Sequence, residues 1–475
     1  MPGNSRTKQP APPPGSSIES LFAYASKSAN RQHAWRDQVT RDAIIRAAAA
    51  DAPQESRELA LRAMQHLSSA VANQQSIWRH AEARSTLLAA SSTEASPQMQ
   101  RHALAALCSL AEESENKAAM LADSPTLSAL LTASSADAPA ESREHALHAF
   151  ELLSSHESNR RALLRSPGVL AMLLQTASGD EAAACERALR ALRAIVIYAA
   201  SLQPMWSDTS AHSTLLAGAA IDVERGRREL AIGAIRSLVT ADAAAAHPLD
   251  WTESSVREVL LSAALATKPA AGPARELALC TLSNFSVSDA NKRPMWTDLA
   301  TREALLSGTR AGSSLSLRAV QWHEHAFCAL ANLAVDAENK PAMWAHLATR
   351  SALIAGAADS MSPAPREQAL CALKLLALAS ATRQPMWCHA EARSVLLAGA
   401  AMDAPPAGRG HAFGALRSLA EEDANKRPML ADAETMQVLT SGDSPAAPPA
   451  VREHAAAALR SLAELPPQYC DCMIS

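Results

Sequence analysis

A short marker ending in an aromatic or large aliphatic residue returns about every 43 residues, ten times over, and this period constrains the chain more than any other feature. It is clearest in Asn291-Lys292-Arg293-Pro294-Met295-Trp296 and Asn339-Lys340-Pro341-Ala342-Met343-Trp344. Its last residue falls at Trp35, Trp78, Leu121, Leu164, Trp206, Trp251, Trp296, Trp344, Trp387 and Leu430, in steps of 42 to 48 residues. A fixed period in this range marks a stacked helical solenoid, in which each repeat buries its apolar face against its neighbours. Such a chain is built to bind along its length.

Composition agrees. A chain of 475 residues would ordinarily divide into several domains, but a regular repeat overrides that expectation. Ala and Leu dominate and β-branched runs are scarce, so strands are not expected. The net charge of −4, with both signs interspersed, argues against a nucleic-acid surface, where a basic face is needed. No apolar stretch approaches the roughly 20 residues of a membrane span. The amino terminus lacks the basic and apolar regions of a signal peptide. The eight cysteines show no paired zinc-ligand spacing and read as buried or groove-facing free thiols.

Aligned on the marker, each repeat shows three helices. An alanine recurs in all ten: Ala60, Ala103, Ala146, Ala188, Ala231, Ala278, Ala326, Ala369, Ala412 and Ala455. A second small residue follows three positions later, alanine everywhere except Thr281. Small residues at i and i+3 share one helix face and let neighbouring helices approach closely. Large apolar residues come next, as at Leu330 and Leu333 or Leu416 and Leu419, in what reads as the long inner helix. Nine and ten residues after the marker, aliphatic pairs such as Leu87-Leu88 and Leu396-Leu397 define another helix, with Gly399 read as its terminator. Pro-rich turns such as Asp403-Ala404-Pro405-Pro406 lead into the inner helix. The marker itself is expected to begin a short first helix, with Pro near the first turn, where a missing N–H costs nothing. Insertions fall near residues 245–250, 268–273 and 311–319.

The Asn-Leu-Ala junction of Ala331-Asn332-Leu333-Ala334 through Asn339-Lys340, and its counterpart Ser283-Asn284-Phe285 through Asn291-Lys292, resemble the armadillo repeat of catenin and importin-alpha-type solenoids. The resemblance covers roughly residues 30 to 465. The glycine usual between the first and second helices is missing from most repeats, which leaves a HEAT-like corner open.

One internal correlation reads as packing. All seven Trp repeats carry a basic or His residue six positions on: Arg41, Arg84, His212, Arg257, Arg302, Arg350 and Arg393. The three Leu repeats carry Leu127, Leu170 and Met436 there. A guanidinium over each indole, worth about 0.5–2 kcal/mol, exchanged for an all-aliphatic pair, explains the covariation.

The resemblance implies a concave groove lined by the third helices, where an Asn can hold a peptide backbone through its amide donor and acceptor. The equivalent positions are His66, Ser109, Leu152, Ala194, Ser237, Asn284, Asn332, Leu375, Ser418 and Ser461, so only Asn284 and Asn332 keep the amide. One turn earlier, where import receptors of that family carry Trp, stand Arg62, Ala105, His148, Arg190, Gly233, Cys280, Cys328, Cys371, Gly414 and Ala457. Without that aromatic shelf, an importin-like grip on basic signals is not expected. A basic series, Arg193, Arg236, Lys374, Arg417 and Arg460, runs alongside. It favours acidic or amphipathic partners, as in catenin-type members, against the alternative of a solvated helix face. The repeating His102, His145, His325, His411 and His454 read as helix-start packing residues rather than metal ligands.

No phosphate loop, nucleophile elbow or His-Glu-x-x-His is present, and His323-Glu324-His325 place their side chains apart on a helix. The chain ends in Cys472-Met473-Ile474-Ser475, which fits a prenylation box, with Cys470 placed to take a second lipid.

The reading is therefore an all-α chain: a right-handed alpha-alpha superhelix of about ten three-helix repeats over 17–465, a disordered tail over 1–16 and a flexible tail over 466–475. Its expected function is a non-catalytic scaffold or adaptor holding an extended or helical protein segment, with no cofactor, metal or nucleic acid. The residues expected to hold it are Asn284, Asn332, Cys280, Cys328, Arg193, Arg236, Lys374 and Arg417. The alternative is a lipid-anchored tether through Cys472 and Cys470, which would bring a membrane into play. The expected setting is cytoplasmic, with a nuclear or peripheral-membrane pool as the variants.

Overall fold

The structure, a computed structural model, describes residues 12–196, 209–220, 222–242, 250–252, 254–266, 272–310 and 317–464. Trp206, most of the insertion segments, Cys470 and Cys472 lie outside them. Among the described residues there are 29 helices and no strand. The chain divides into two compact bodies, Met1–Leu238 and Val239–Ser475. A lone helix, Ile18–Ser26, packs on the first repeat. Three-helix repeats follow, for example Asp289–Thr297, Leu299–Thr309 and Leu317–Leu333, then Asn339–Ala345, Leu347–Gly356 and Pro363–Ala377.

The third helices form the core of each body by packing on one another in sequence. All ten recurring alanines are 0% exposed, and so are Ala63, Ala106, Ala149, Ala191, Ala234, Thr281, Ala329, Ala372, Ala415 and Ala458 three residues on. A larger side chain at either register would force the stacked helices apart. Thr281 fits because its hydroxyl bonds back to the Leu277 carbonyl at 2.6 Å.

Glycine near the end of the second helix has a different role from the one expected. Gly399 lies inside Ala390–Ala400, and the one described residue with positive φ is Gly15. A Cβ on Gly399 would sit 3.1 Å from Leu370 and 3.3 Å from Ala412. Gly308, at the same register, would meet Ala326 at 2.9 Å. These glycines let the second helix cross its own third helix and the preceding one at van der Waals distance, rather than supplying a left-handed cap.

The marker also differs from expectation. It forms the whole short first helix, with Trp at its end, as in Asp289–Thr297 and Ser380–Cys388. Trp251 instead lies in a turn. Pro294, Pro385 and Pro428 are each sixth in their helices, beyond the first turn; Pro341, third in its own, is within it. Each sixth-position Pro forfeits one internal bond. The carbonyl it frees, that of Ala290, Thr382's neighbour Ala381 or Ala424, belongs to an exposed residue, where water can replace the lost donor.

Buried side-chain amides link successive repeats. The Nδ2 of Asn116 donates to Gln74 O at 3.1 Å, in the preceding repeat, and to Leu110 O at 3.0 Å, at the end of the third helix before it. Asn73, Asn159, Asn339 and Asn425 repeat this double bond. The first and second helices meet through a single residue that ends one and caps the other. Asp37 holds φ −71°, ψ 111°, a conformation open to any L-residue, and accepts from the Thr40 N–H at 2.9 Å. This joint explains why a corner glycine is missing. Asp123, Asp298 and Asp432 cap in the same way, and His80 and His389 substitute for Asp.

Among the described residues the Trp–Arg pairing is present in five repeats. Arg41, Arg84, Arg302, Arg350 and Arg393 lie 5.1 to 5.8 Å from the centres of Trp35, Trp78, Trp296, Trp344 and Trp387. Arg84 and Arg350 also donate to the carbonyls of Trp78 and Trp344. Trp251 departs from the pattern and meets Phe285 edge to face at 5.2 Å.

Candidate partner-binding face

With alanines at i and i+3 turned inward, each third helix leaves the opposite stripe to solvent: the two positions before the first alanine and those two, five, six and nine after it. The eight residues expected to hold a partner segment (Asn284, Asn332, Cys280, Cys328, Arg193, Arg236, Lys374 and Arg417) stand on this stripe, but the two bodies use it differently.

In the first body much of the stripe satisfies itself. Arg187 bonds Glu151 at 3.1 Å and Glu144 at 3.3 Å, and Arg190 lies 3.6 Å from Glu151 and pairs with Glu186. Arg193 stands one turn beyond this lattice and has no ion pair or hydrogen bond among the described residues. Its guanidinium lies over Gly233, where an added Cβ would come within 3.5 Å of Nε. Burial, and then the nearby Arg236 charge, lower its pKa from the ordinary value. Two like charges on adjacent helices favour an incoming anion.

The second body repeats this construction. The stem of Lys374 lies on Gly414, where a Cβ would be 3.0 Å from Cδ and Cε, and Arg417 follows one turn after that glycine. Lys374 has no ion pair among the described residues. Arg417 has a long one, 3.8 Å to Glu421, with both side chains 40% exposed, so it is weak. Arg460 extends the row and is exposed. Burial, followed by the charges of Lys374 and its neighbours, lowers the pKa values of His411 and His454, so these imidazoles stay neutral beside the cations.

Asn284 and Asn332 are half-buried on this stripe, with their amide nitrogens already engaged. Asn284 donates to Thr240 Oγ1 at 2.7 Å, and Asn332 donates to Ser286 Oγ at 3.0 Å. Cys280, Cys328 and Cys371 are half-buried on successive third helices, and burial raises the Cys371 thiol. Cys108 and Cys185 are buried, and burial pushes Cys108 up to about 12. Cys388 is exposed at the end of a first helix, away from the stripe, contrary to a uniform buried or groove-facing set. No group of three or more His, Cys, Asp or Glu is placed to hold a metal among the described residues. No described helix is long and apolar enough to cross a membrane.

Sequence reasoning missed two features. Gly233 and Gly414 were noted as places where Trp is absent, not as floors for the cation of the previous repeat. The signal was there: Gly-Ala-Ile-Arg-Ser-Leu at 233–238 returns as Gly-Ala-Leu-Arg-Ser-Leu at 414–419. The Glu144/Glu151/Arg187/Arg190 lattice spans a repeat boundary and was not recognised.

No family model matches the chain, and no curated protein matches it. Among solved structures it is similar to an engineered protein at 16% identity and a TM-score of 0.68, covering 90% of this chain and 99% of that one. It is also similar to a chain from a structure described as a conserved phosphorylation switch controlling the interaction between cadherin and beta-catenin, at 16% identity and a TM-score of 0.58, covering 94% of each. At this identity the likeness shows the fold alone: an all-helical repeat protein.

Proposed function

We propose that the chain is an armadillo-type, non-catalytic interaction scaffold that holds an acidic peptide or helical segment of a partner protein along the solvent stripe of its third helices. The observation carrying this reading is the cation laid on a glycine of the next repeat and followed by a second cation, built once in each body: Arg193–Gly233–Arg236 and Lys374–Gly414–Arg417. Flattened stems leave room for an extended segment, and the paired charges select acidic side chains. The similar structure described for cadherin and beta-catenin supports the class of partner, a protein.

The test is fluorescence anisotropy with a labelled peptide of Asp, Glu and Gly, about twelve residues long, to span several repeats. Lys374→Glu/Arg417→Glu and Arg193→Glu/Arg236→Glu are expected to weaken binding at least tenfold each, about 1.4 kcal/mol. Binding by the wild type should fall from about 0.05 to about 0.5 M salt. Equal affinity for the matched Asn/Gln/Gly peptide would remove the basis for this reading.

A further inference from the structure

Nine residues after the recurring alanine, each third helix turns its last solvent-facing position toward the following corner. In five repeats this position is polar and bonds to the residue that follows the linking Asn or Thr of an earlier first helix. Arg31 donates to Ser69 Oγ at 2.8 Å, Gln74 to Glu112 at 3.2 Å and Lys117 to Ser155 Oγ at 2.9 Å. Arg383 donates to Glu421 at 2.7 Å and Lys426 to the Glu464 carbonyl at 2.8 Å. Each bond ties a first helix to the end of the third helix of its own repeat.

Three consecutive repeats of the second body give this position to an aliphatic residue. Val287, Val335 and Leu378 stand there, exposed by 50%, 45% and 46%. Lys292, which would reach the position of Val335, pairs with Asp289 in its own helix instead. These repeats thus replace a hydrogen-bonding side chain with a half-exposed aliphatic one, which contributes neither the linking bond nor full burial. Two and six residues after the alanine the same repeats carry uncharged side chains, Cys280 and Asn284, Cys328 and Asn332, Cys371 and Leu375. Glu276, Glu324 and Glu367 stand at the opposite end of the stripe, two residues before the alanine. A lane of apolar and neutral side chains results over the C-terminal half of these third helices, and it runs into Lys374, Arg417 and Arg460.

We propose that this lane docks the aliphatic half of a bipartite protein segment, whose other half is acidic and meets Lys374, Arg417 and Arg460. The assignment rests on the scaffold reading above and adds the partner's composition. Charge complementarity fixes the acidic half, and the continuity of the lane with the cationic row fixes its aliphatic neighbour. Third helices stacked about 8–10 Å apart place the three aliphatic residues over about 20 Å, or about six extended residues of partner.

The experiment compares two labelled peptides on the full chain: one with a Val/Leu half joined to an Asp/Glu half, made in both orders, and one with Gly and Ser replacing the aliphatics. The bipartite peptide is expected to bind at least tenfold more tightly in one order. Val287→Ser/Val335→Ser/Leu378→Ser should abolish that gain and leave affinity for the acidic peptide unchanged. Because the three side chains are about half exposed, the variant should melt with the wild type. A readout that needs no variant is protection of Cys328 from alkylation, expected with the bipartite peptide and weaker with the acidic one. If the acidic peptide binds but the aliphatic half adds nothing, or the triple variant keeps the gain, the lane is not a docking site. If neither peptide binds the wild type, the scaffold reading itself fails. A wild-type dimer in sedimentation that the triple variant converts to monomer would assign the lane to a second copy and overturn the proposal.

Discussion

Phe327 and Phe413 each follow a recurring alanine at a position where Leu189, Leu279 and Leu370 stand in other repeats, and each faces a second-helix glycine. A Cβ on Gly356 would come 2.3 Å from Phe327 Cζ, and one on Gly442 equally close to Phe413 Cε1. Opposite a leucine, the same glycine leaves 3.0 to 3.9 Å. Gly356→Ala is therefore expected to destabilise by about 1–3 kcal/mol, with overpacking outweighing the roughly 1 kcal/mol that Ala gains in a helix. Phe327→Leu should recover much of that loss in the double variant, a coupling that a denaturant-melt cycle measures. Gly410, inside Pro406–Ala420 with nothing within 4 Å of its Cβ position, is the control. Gly410→Ala should stabilise by about 0.5–1 kcal/mol. If both substitutions shift the midpoint in the same direction, close approach is not what these glycines supply.

At the scale of the helix, the sequence showed more of the fold than of the forces joining it. Three helices per repeat, the inward alanines and the Trp–Arg pairs were legible because each is a spacing within one repeat. The work of the marker Asn was not, because the carbonyls it binds belong partly to the preceding repeat: Lys292 O and Leu333 O for Asn339, 47 and 6 residues away. The candidate face divides along the same line. The positions of Arg193 and Lys374 could be read from register, but their glycine floors and the engagement of Asn284 and Asn332 lie across repeat boundaries. Asn116→Ala leaves two backbone carbonyls without this donor, and a loss of about 1–3 kcal/mol is expected. Thr382 offers the converse test. It takes the Asn position and donates to Leu376 O at 2.5 Å, with no bond to the preceding repeat. Thr382→Asn should add that bond and raise stability by about 0.5–1.5 kcal/mol, read as a higher urea midpoint at unchanged slope. An unchanged midpoint would mean the Asn links contribute register rather than stability.

At the scale of the whole chain, a near-balanced composition conceals a face rich in neutral imidazoles. His66, His102, His145 and His148 in the first body, and His411 and His454 in the second, all have pKa values lowered, with burial the largest cause. The groups around them differ. Arg31 and Arg62 add to the lowering at His66, and Lys374 does so at His411, whereas Glu144 opposes it at His145 and Glu367 at His411. A lowered histidine binds fewer protons folded than unfolded between its folded pKa and the unfolded value of about 6.5. The stability it contributes is therefore complete above about pH 6.5 and is lost as pH falls toward the folded values. Asp37 has the opposite dependence on charge, since the Thr40 hydroxyl and N–H lower its pKa, and its contribution is lost only below the carboxylate range. Between about pH 7.5 and about pH 5 the histidines thus set the slope. The melting temperature is expected to fall across that interval, and His145→Gln/His148→Gln should flatten the fall without removing it, because four lowered histidines remain. A melting temperature that stays level or rises on acidification would mean that these imidazoles gain partners when protonated, and the face would then be a site that strengthens, rather than strains, as it becomes more positive.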